Sequence, residues 1–152
     1  MREEKKYVAT TASAARAIRW QNLAVASGGV VGVMARFAIS SFALPQAPGA
    51  FPFGTLVVNL VGCFLIGIAQ TLLLNFLVVR AEVQLFVSVG LLGGFTTFST
   101  FSVETVQLVL DGKWGLALMY QFCSLAGGLA AVLLGVSIAN MVQQGWTKRP
   151  PR

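Results

Sequence analysis

The stretch Gly90–Glu104, which reads GLLGGFTTFSTFSVE, has the residue types and spacing most able to do chemistry. Phe95, Phe98 and Phe101 recur every three residues, and a threonine or serine fills every position between them. At helical pitch the three rings share one face. Ring edges and hydroxyl groups can replace the water that a small ion gives up on entering a pore. The chemistry of this stretch is therefore compatible with an ion path.

Glycines directly before the rings predict that the helix is interrupted. Gly90, Gly93 and Gly94 lie in apolar sequence, where glycine weakens a helix and permits unusual backbone dihedrals. We expect the break near residues 93–97, at mid-membrane depth. A broken helix there leaves amides and carbonyls without partners, which is tolerated only inside protein or along a hydrated path or ion site. This favours transport over a scaffolding role.

The composition predicts one small membrane domain. The 152 residues are 56% hydrophobic with a mean hydropathy of +0.76, and only 11% are charged, against about a quarter in soluble domains. The net charge of +6 comes mostly from the two ends, so it indicates membrane orientation and not a nucleic-acid surface. Histidine is absent, and Cys63 and Cys123 lie far apart. A zinc site, a disulfide framework and an enzyme with a Cys/His nucleophile are therefore disfavoured.

Four apolar segments predict an all-α membrane protein with four transmembrane helices, at about residues 22–44, 54–79, 83–110 and 114–143. We expect a polar N-terminal tail at 1–21, the transmembrane domain at 22–143 and a basic tail at 144–152. Small residues spaced by four predict close helix packing. Gly28 and Gly32 form such a face in the first helix, and Ala131, Gly135 and Ala139 form another in the fourth.

Polar side chains inside these helices are candidates for the ion path. Asn59 lies well inside the second helix, where an amide needs a partner. An interhelical hydrogen bond would satisfy it, but we favour a pore-lining role because a carboxamide has two N–H donors for an anion. Ser99, Thr100 and Ser124 would add hydroxyl donors. Arg36, near the end of the first helix, either reaches the membrane interface or lines an aqueous vestibule.

Four helices place both termini on one side of the membrane. That side would carry nine cations against Lys113 alone on the other, and the positive-inside rule then makes it cytoplasmic; the nine are Arg2, Lys5, Lys6, Arg16, Arg19, Arg80, Lys148, Arg149 and Arg152. Near the opposite face we expect Thr55, Glu104 and Tyr120 to form the pore mouth with Arg36. An ionised Glu104 at that depth is costly, so the alternative role is a salt bridge to Arg36.

Three blocks of the sequence resemble the signature of the Fluc (CrcB-type) fluoride channels. The first is Gly28-Gly29-x-x-Gly32 followed by Arg36-Phe37, and the second is Gly54-Thr55-Leu56-x-x-Asn59-x-x-Gly62-Cys63. The third is GGFTTFSTFS over residues 93–102, followed by Glu104. The third block is the specific one, because Phe/hydroxyl alternation after a glycine pair is not an ordinary packing pattern.

The resemblance implies an antiparallel, dual-topology homodimer with two pores, in the bacterial inner membrane and in contact with its lipid, that exports cytoplasmic fluoride passively. By position, Phe98 and Phe101 resemble the ring pair that faces the anion, and Asn59 resembles the pore-lining amide. The carbonyls of Gly93 and Thr96 resemble those that hold one structural sodium ion on the dimer axis. Two antiparallel chains would supply four such oxygens, which suits a hard cation.

Two alternatives stay open. The strong cation bias would favour one orientation, so an oppositely oriented paralogue could replace the second copy as partner. A small dual-topology multidrug or cation exporter is the alternative function, but coupled export would need a carboxylate deep in the first helix, which has none.

Overall fold

The computed structural model of the chain describes residues 2–43, 49–75 and 79–147, and all regular structure in these ranges is helical. This confirms the predicted all-α class. In chain order the helices are α1 (Arg2–Ala38), followed by a π-helical turn (Ile39–Ala43), α2 (Phe53–Asn75), α3 (Ala81–Gln84), followed by a second π-helical turn (Leu85–Leu91), α4 (Leu92–Phe95), α5 (Phe98–Leu110) and α6 (Trp114–Thr147).

Four segments are long and apolar enough to cross a membrane, as predicted. They are Ala14–Phe42, Phe53–Leu73, Ala81–Leu110 and Trp114–Gly145. Many large apolar side chains on these segments are exposed, among them Leu133 at 67% and Met141 at 72%. In a soluble protein this exposed apolar surface would favour aggregation, whereas in a bilayer it would lie against lipid acyl chains.

The first and last helices extend beyond their predicted ends. α1 begins at Arg2, and α6 continues to Thr147. Residues 9–17 include five alanines, the strongest helix former, so a polar composition did not prevent a helix there. The division of the chain into tails and a membrane domain stays a prediction. The end of the predicted first helix with part of the connection after it, at 44–48, part of the predicted second helix, at 76–78, and the basic residues after Thr147 lie outside the described ranges.

Glycines bring α1 against the third spanning segment, and α2 against α6. A Cβ at Gly28 would meet Leu91 N at 2.9 Å, and a Cβ at Gly94 would meet Gly29 O at 2.7 Å. On the other pair of helices, a Cβ at Gly135 would lie 3.1 Å from Ile68 N. All these neighbours are backbone atoms, which cannot swing aside as a side chain can. The predicted packing faces of α1 and α6 are therefore confirmed.

The two connections at the end opposite the termini are joined by one lysine. Lys113 Nζ donates a hydrogen bond of 2.7 Å to Gly49 O and lies 3.7 Å from the Asp111 carboxylate. The turn between α5 and α6 depends on Gly112, whose φ of 74° is a conformation that other residues rarely adopt.

We expect Gly32→Ala to destabilise the protein by about 1–3 kcal/mol, because overpacking a tight contact forces backbone shifts. The new Cβ would meet Phe95 N at 2.8 Å and also Leu91 O. Gly115→Ala is the matched control, since a Cβ there has nothing within 4 Å. Thermal unfolding in detergent measures both variants. Equal midpoints for Gly32→Ala and the parent protein would contradict the packing of α1 described above.

Candidate functional site

Two extended residues separate α4 from α5. Thr96 has φ −79° and ψ 157°, and Thr97 has φ −147° and ψ 119°. Gly93 and Gly94 directly before them have low helix propensity, and β-branched threonines favour extended backbone. Thr97 then caps α5, because its Oγ1 accepts a 3.2 Å hydrogen bond from Thr100 N. The local sequence therefore accounts for both the end of one helix and the start of the next.

Asn59 on α2 binds the backbone of Thr97 through both ends of its carboxamide. Its Nδ2 donates to Thr97 O at 3.0 Å, and its Oδ1 accepts from Thr97 N at 2.8 Å. The bond from Thr97 N replaces the acceptor that this N–H would have in a continuous helix, whereas Thr97 O, on the N-cap residue of α5, also accepts the first hydrogen bond within that helix. Sequence reasoning anticipated that Asn59 needs a partner, but it did not identify Thr97. The pairing depends on the rotation of α2, which no spacing pattern specifies.

The two carbonyls predicted to hold sodium lie at this interruption. In a continuous helix Gly93 O would accept from the N–H four residues later, which is Thr97 N, but that N–H donates to Asn59 instead. Gly93 O thus lacks its helical donor. Thr96 O accepts a long 3.4 Å hydrogen bond from Arg36 Nη1. An oxygen released from the helix suits a hard cation, while the guanidinium competes for the second oxygen.

A pocket of about 400 Å³ lies beside the interruption and brings together most of the predicted pore residues. Among its lining residues are Asn59, Gly93, Thr96, Phe98, Phe101 and Ser124. It also includes Cys63 and Ser88, which sequence reasoning did not assign to the site. Ser88 lies in the π-helical turn Leu85–Leu91, so the α-helical spacing rules applied to the sequence could not place it in the site.

Ser124 presents a hydroxyl group without a partner to this pocket. Its Oγ is buried, and no hydrogen-bond partner for it exists among the residues that the structure describes. A buried hydroxyl normally finds a partner, because leaving it unsatisfied costs about 1–3 kcal/mol. The atom is therefore available to a ligand or water in the pocket.

The two phenylalanines of the pocket differ in their surroundings. Phe101 packs against the core of Leu56, Leu108 and Tyr120, with its ring centroid 5.0 Å from that of Tyr120. Phe98 is 80% exposed, although its ring centroid lies only 5.7 Å from that of Phe101. Packing within one chain thus explains the position of Phe101 but not that of Phe98.

Ser99 and Thr100 lie away from this pocket. Both hydroxyls gather around Thr97 Oγ1, which lies 3.2 Å from Ser99 Oγ and donates to Thr100 Oγ1 at 3.0 Å. Thr100 lines a second pocket on the other side of the interruption, and Ser99 lines neither pocket. Their predicted role as pore donors remains a prediction, and the contacts seen here are those of a helix cap.

The second pocket, of about 330 Å³, contains three of the four residues predicted for the pore mouth. Arg36, Thr55 and Glu104 line it. Tyr120 is fully buried behind them and donates to Glu104 Oε2 at 2.7 Å, while Thr55 donates to Glu104 Oε1 at 2.8 Å. Each carboxylate oxygen therefore has a hydroxyl donor, which lowers the cost of its charge.

The alternative of a salt bridge between Glu104 and Arg36 is not realised. The ion pairs found in the described ranges are Arg80–Glu82 and Lys113–Asp111. Glu104 is engaged by the two hydroxyls instead, and Arg36 by the carbonyl of Thr96. These neutral partners were available because α2 and α6 bring their hydroxyls to the carboxylate.

We expect Asn59→Leu to lower the free energy of unfolding by about 1–3 kcal/mol, because it leaves the buried N–H of Thr97 unsatisfied. Ser137→Ala is the control, since its exposed hydroxyl bonds only Leu133 O within the same helix, at 2.7 Å. Thermal unfolding in detergent compares the two. If Asn59→Leu unfolds no earlier than Ser137→Ala, the double hydrogen bond to Thr97 does not hold the interruption.

Residues 23–136 match the family model described as CrcB-like protein, Camphor Resistance (CrcB). The chain is 44% identical over 119 residues to "Fluoride-specific ion channel FluC 1" of Moorella thermoacetica, covering 78% of this chain and 85% of that protein. It is 42% identical over 118 residues to "Fluoride-specific ion channel FluC" of Chloroflexus aurantiacus, with 78% and 94% covered. A Pseudomonas putida protein of that name is 44% identical over 117 residues, with 77% and 94% covered.

The matched region begins within α1 and ends within α6, so it includes both pockets and the extended residues between α4 and α5. Together with the four apolar spans, these matches establish that the chain is a multi-pass membrane protein of the CrcB family.

Proposed function

We propose that this protein is a fluoride-selective channel of the bacterial inner membrane, through which cytoplasmic fluoride leaves passively. The observation that carries the proposal is the pocket of about 400 Å³, which is lined by Phe98, by Phe101 and by Ser124, whose hydroxyl has no partner among the described residues. Relatives 42–44% identical to this chain are named fluoride-specific ion channels. No covalent chemistry is needed, so the protein is a channel and not an enzyme.

Fluoride is small and strongly hydrated, and its pore must replace the lost water with hydrogen-bond donors. The Ser124 hydroxyl supplies an O–H donor, and the Asn59 carboxamide supplies an N–H donor. The edges of the phenylalanine rings carry partial positive charge. One Asn59 donor already serves Thr97 O, so the carboxamide has one further N–H to offer. Several weak neutral donors allow an ion to leave as well as enter, whereas a buried cation would retain it.

The second pocket would form the mouth of this pore, as the sequence suggested. Arg36, Thr55 and Glu104 line it, and Tyr120 holds the carboxylate from behind. The positive charge of Arg36 would attract the anion from solution, while the two hydroxyls that bind Glu104 reduce the repulsion from its carboxylate. Ser99 and Thr100 are proposed to add hydroxyl donors to the path, and both belong to the cap at the start of α5, where Phe98 is the first residue.

The working unit is proposed to be an antiparallel dual-topology dimer with two pores, in which the third spanning helix is broken at mid-membrane. Exposure supports this arrangement, because Gly93 and the 80% exposed ring of Phe98 lie on the open side of the pocket. A second chain there would supply the missing wall. It would be another copy or an oppositely oriented paralogue, given the excess of cations at one end.

A structural sodium ion on the dimer axis is part of the proposal. Gly93 O, which has lost its helical donor, and Thr96 O would hold it, with the same two oxygens from the partner. The ion would supply a fixed positive charge that compensates the exposed carbonyls of the interruption. Arg36 also donates to Thr96 O, so we expect the ion to be held less tightly than it would be by an unshared oxygen.

The alternative, a small multidrug or cation exporter, gains no support from these contacts. Coupled export needs a carboxylate that binds and releases protons at mid-depth. Glu104, which lines the second pocket, is six residues from the end of its helix at Leu110 and is held by two hydroxyl donors.

Fluoride efflux from liposomes tests the channel, with Phe98→Ile as the decisive variant. Because Phe98 is 80% exposed, a smaller apolar side chain should leave the fold intact. We expect fluoride efflux to fall at least about tenfold through loss of the ring edge. Phe122→Ile is the matched control, since that ring is 73% exposed on α6 and lines neither pocket. Its efflux should stay within about twofold of the parent protein.

An ion-selective electrode measures fluoride release, with chloride-loaded vesicles as the selectivity control. Parent protein that releases no fluoride, or equal release by the Phe98→Ile and parent proteins, would contradict the proposed pore. Asn59 is unsuitable as the sole test, because its substitution also releases Thr97.

Removal of sodium should lower the melting temperature of the dimer, because an ion that binds only the assembled state stabilises it. Exchange of sodium for N-methylglucamine throughout purification, followed by thermal unfolding and cross-linking, measures this effect. Potassium, being larger, should restore stability poorly. A melting temperature and dimer fraction that do not change after exhaustive exchange would remove the sodium ion from the proposal while leaving the efflux test unaffected.

A further inference from the structure

A third groove lies apart from the two pockets of the candidate site. It encloses about 540 Å³ between α1 and the start of the third spanning segment, and it is lined by Trp20, Leu23, Ala24, Ser27, Arg80, Glu82, Val83 and Phe86. None of these residues lines either pocket of the site. Trp20 lies near the start of one span and Arg80 directly before another, so the groove is at the membrane end that carries both chain termini.

The walls of the groove are apolar and open. Trp20 is 58% exposed and Leu23 is 56% exposed, both on a segment long enough to cross a membrane. Val83 faces the groove from the other side and is also exposed. Tryptophan at a membrane interface places its ring beside acyl chains and its N–H beside headgroups. These walls suit an acyl chain better than a soluble ligand.

The outer rim of the groove carries positive charge. Arg80 has a side chain that is 80% exposed, and its Nε lies 3.4 Å from the Glu82 carboxylate. Arg16 is four residues before Trp20, so it lies on the same face of α1 one turn nearer the chain terminus. Arg19 is next to Trp20 and is also exposed. Among the side chains that the structure describes at this rim, three arginines against one glutamate leave a net positive charge.

We propose that the groove binds an anionic phospholipid, with an acyl chain against Trp20 and Leu23 and its headgroup phosphate at Arg16 and Arg80. An apolar wall that continues into a cationic rim at the end of two membrane spans is complementary to an anionic lipid in both parts. A soluble phosphate would use only the rim. Lipid binding in this groove does not require fluoride passage, and it does not depend on which leaflet contains this end of the protein.

Tryptophan quenching by brominated lipid tests the proposal, because Trp20 is in the groove. The test protein keeps Trp20 and carries Trp114→Phe and Trp146→Phe. The matched control keeps Trp114, which is 62% exposed at the opposite end, and carries Trp20→Phe and Trp146→Phe. Both are reconstituted in phosphatidylcholine vesicles that contain either brominated phosphatidylglycerol or brominated phosphatidylcholine, after gel filtration shows the parent elution volume.

We expect Trp20 to favour brominated phosphatidylglycerol over brominated phosphatidylcholine about fivefold, and Trp114 to show no preference. Arg16→Gln together with Arg80→Gln should remove the preference at Trp20. Lys113→Gln, which removes a cation at the opposite end, should leave it unchanged. An excess of inorganic phosphate at constant ionic strength should also leave it unchanged.

Several results would overturn the proposal. Equal quenching of Trp20 by the two lipids would mean that the groove does not select the headgroup. No quenching of Trp20 by either lipid would mean that protein covers the groove. Loss of the preference with inorganic phosphate would assign the arginines to a soluble anion, and a preference that survives both arginine substitutions would place the headgroup elsewhere.

Discussion

The double hydrogen bond between Asn59 and Thr97 is the interaction on which the site depends. An interrupted helix in an apolar environment must find new partners for its backbone groups, and each group left without one costs several kcal/mol in a membrane. A single carboxamide accepts a hydrogen bond from the orphaned N–H of Thr97 and donates a second one to the C=O of the same residue, both at 3.0 Å or less. Because α2 provides that carboxamide, α4 can end at Phe95 and α5 can begin at Phe98. The pocket, the exposed ring and the released Gly93 carbonyl all follow from this interruption.

The close approach of neighbouring backbones fixes the positions of the helices around the Asn59–Thr97 hydrogen bonds. α1 lies against the third spanning segment at Gly28, Gly90 and Gly94, where neighbouring backbone atoms leave no room for a Cβ. The same contact brings Arg36, at the end of α1, to Thr96 O. Within a membrane, packing of this kind replaces the hydrophobic effect as the force between helices. The glycine face and the polar site are therefore two parts of one arrangement.

The sequence predicted the spans and the membership of the site better than it predicted the contacts within the site. Four apolar runs gave the four spans because hydrocarbon thickness sets their length. Asn59 and Ser124 were assigned to the site because they are polar residues in apolar helices, and Phe98 because it belongs to the alternation of rings and hydroxyls. All three line one pocket. Which atoms pair depends on helix rotation and on the π-helical turn at Leu85–Leu91, and neither has a spacing signal. For that reason the hydrogen bonds from Thr55 and Tyr120 to Glu104 were not anticipated, although the three residues were expected to lie together, and neither was the cap around Ser99.

The open side of the main pocket has a consequence for assembly within the bilayer. Lipid tails are as apolar as the helix surfaces, so the exposed leucines and valines give two chains little reason to associate. Polar backbone near Gly93 and the hydroxyl of Ser124 are different, because acyl chains cannot hydrogen-bond to them. In a dimer, the groups that solvate a passing ion would then also drive association. Substitutions that make the pathway more apolar would therefore weaken subunit affinity and ion selectivity together, which restricts how far either property can change alone.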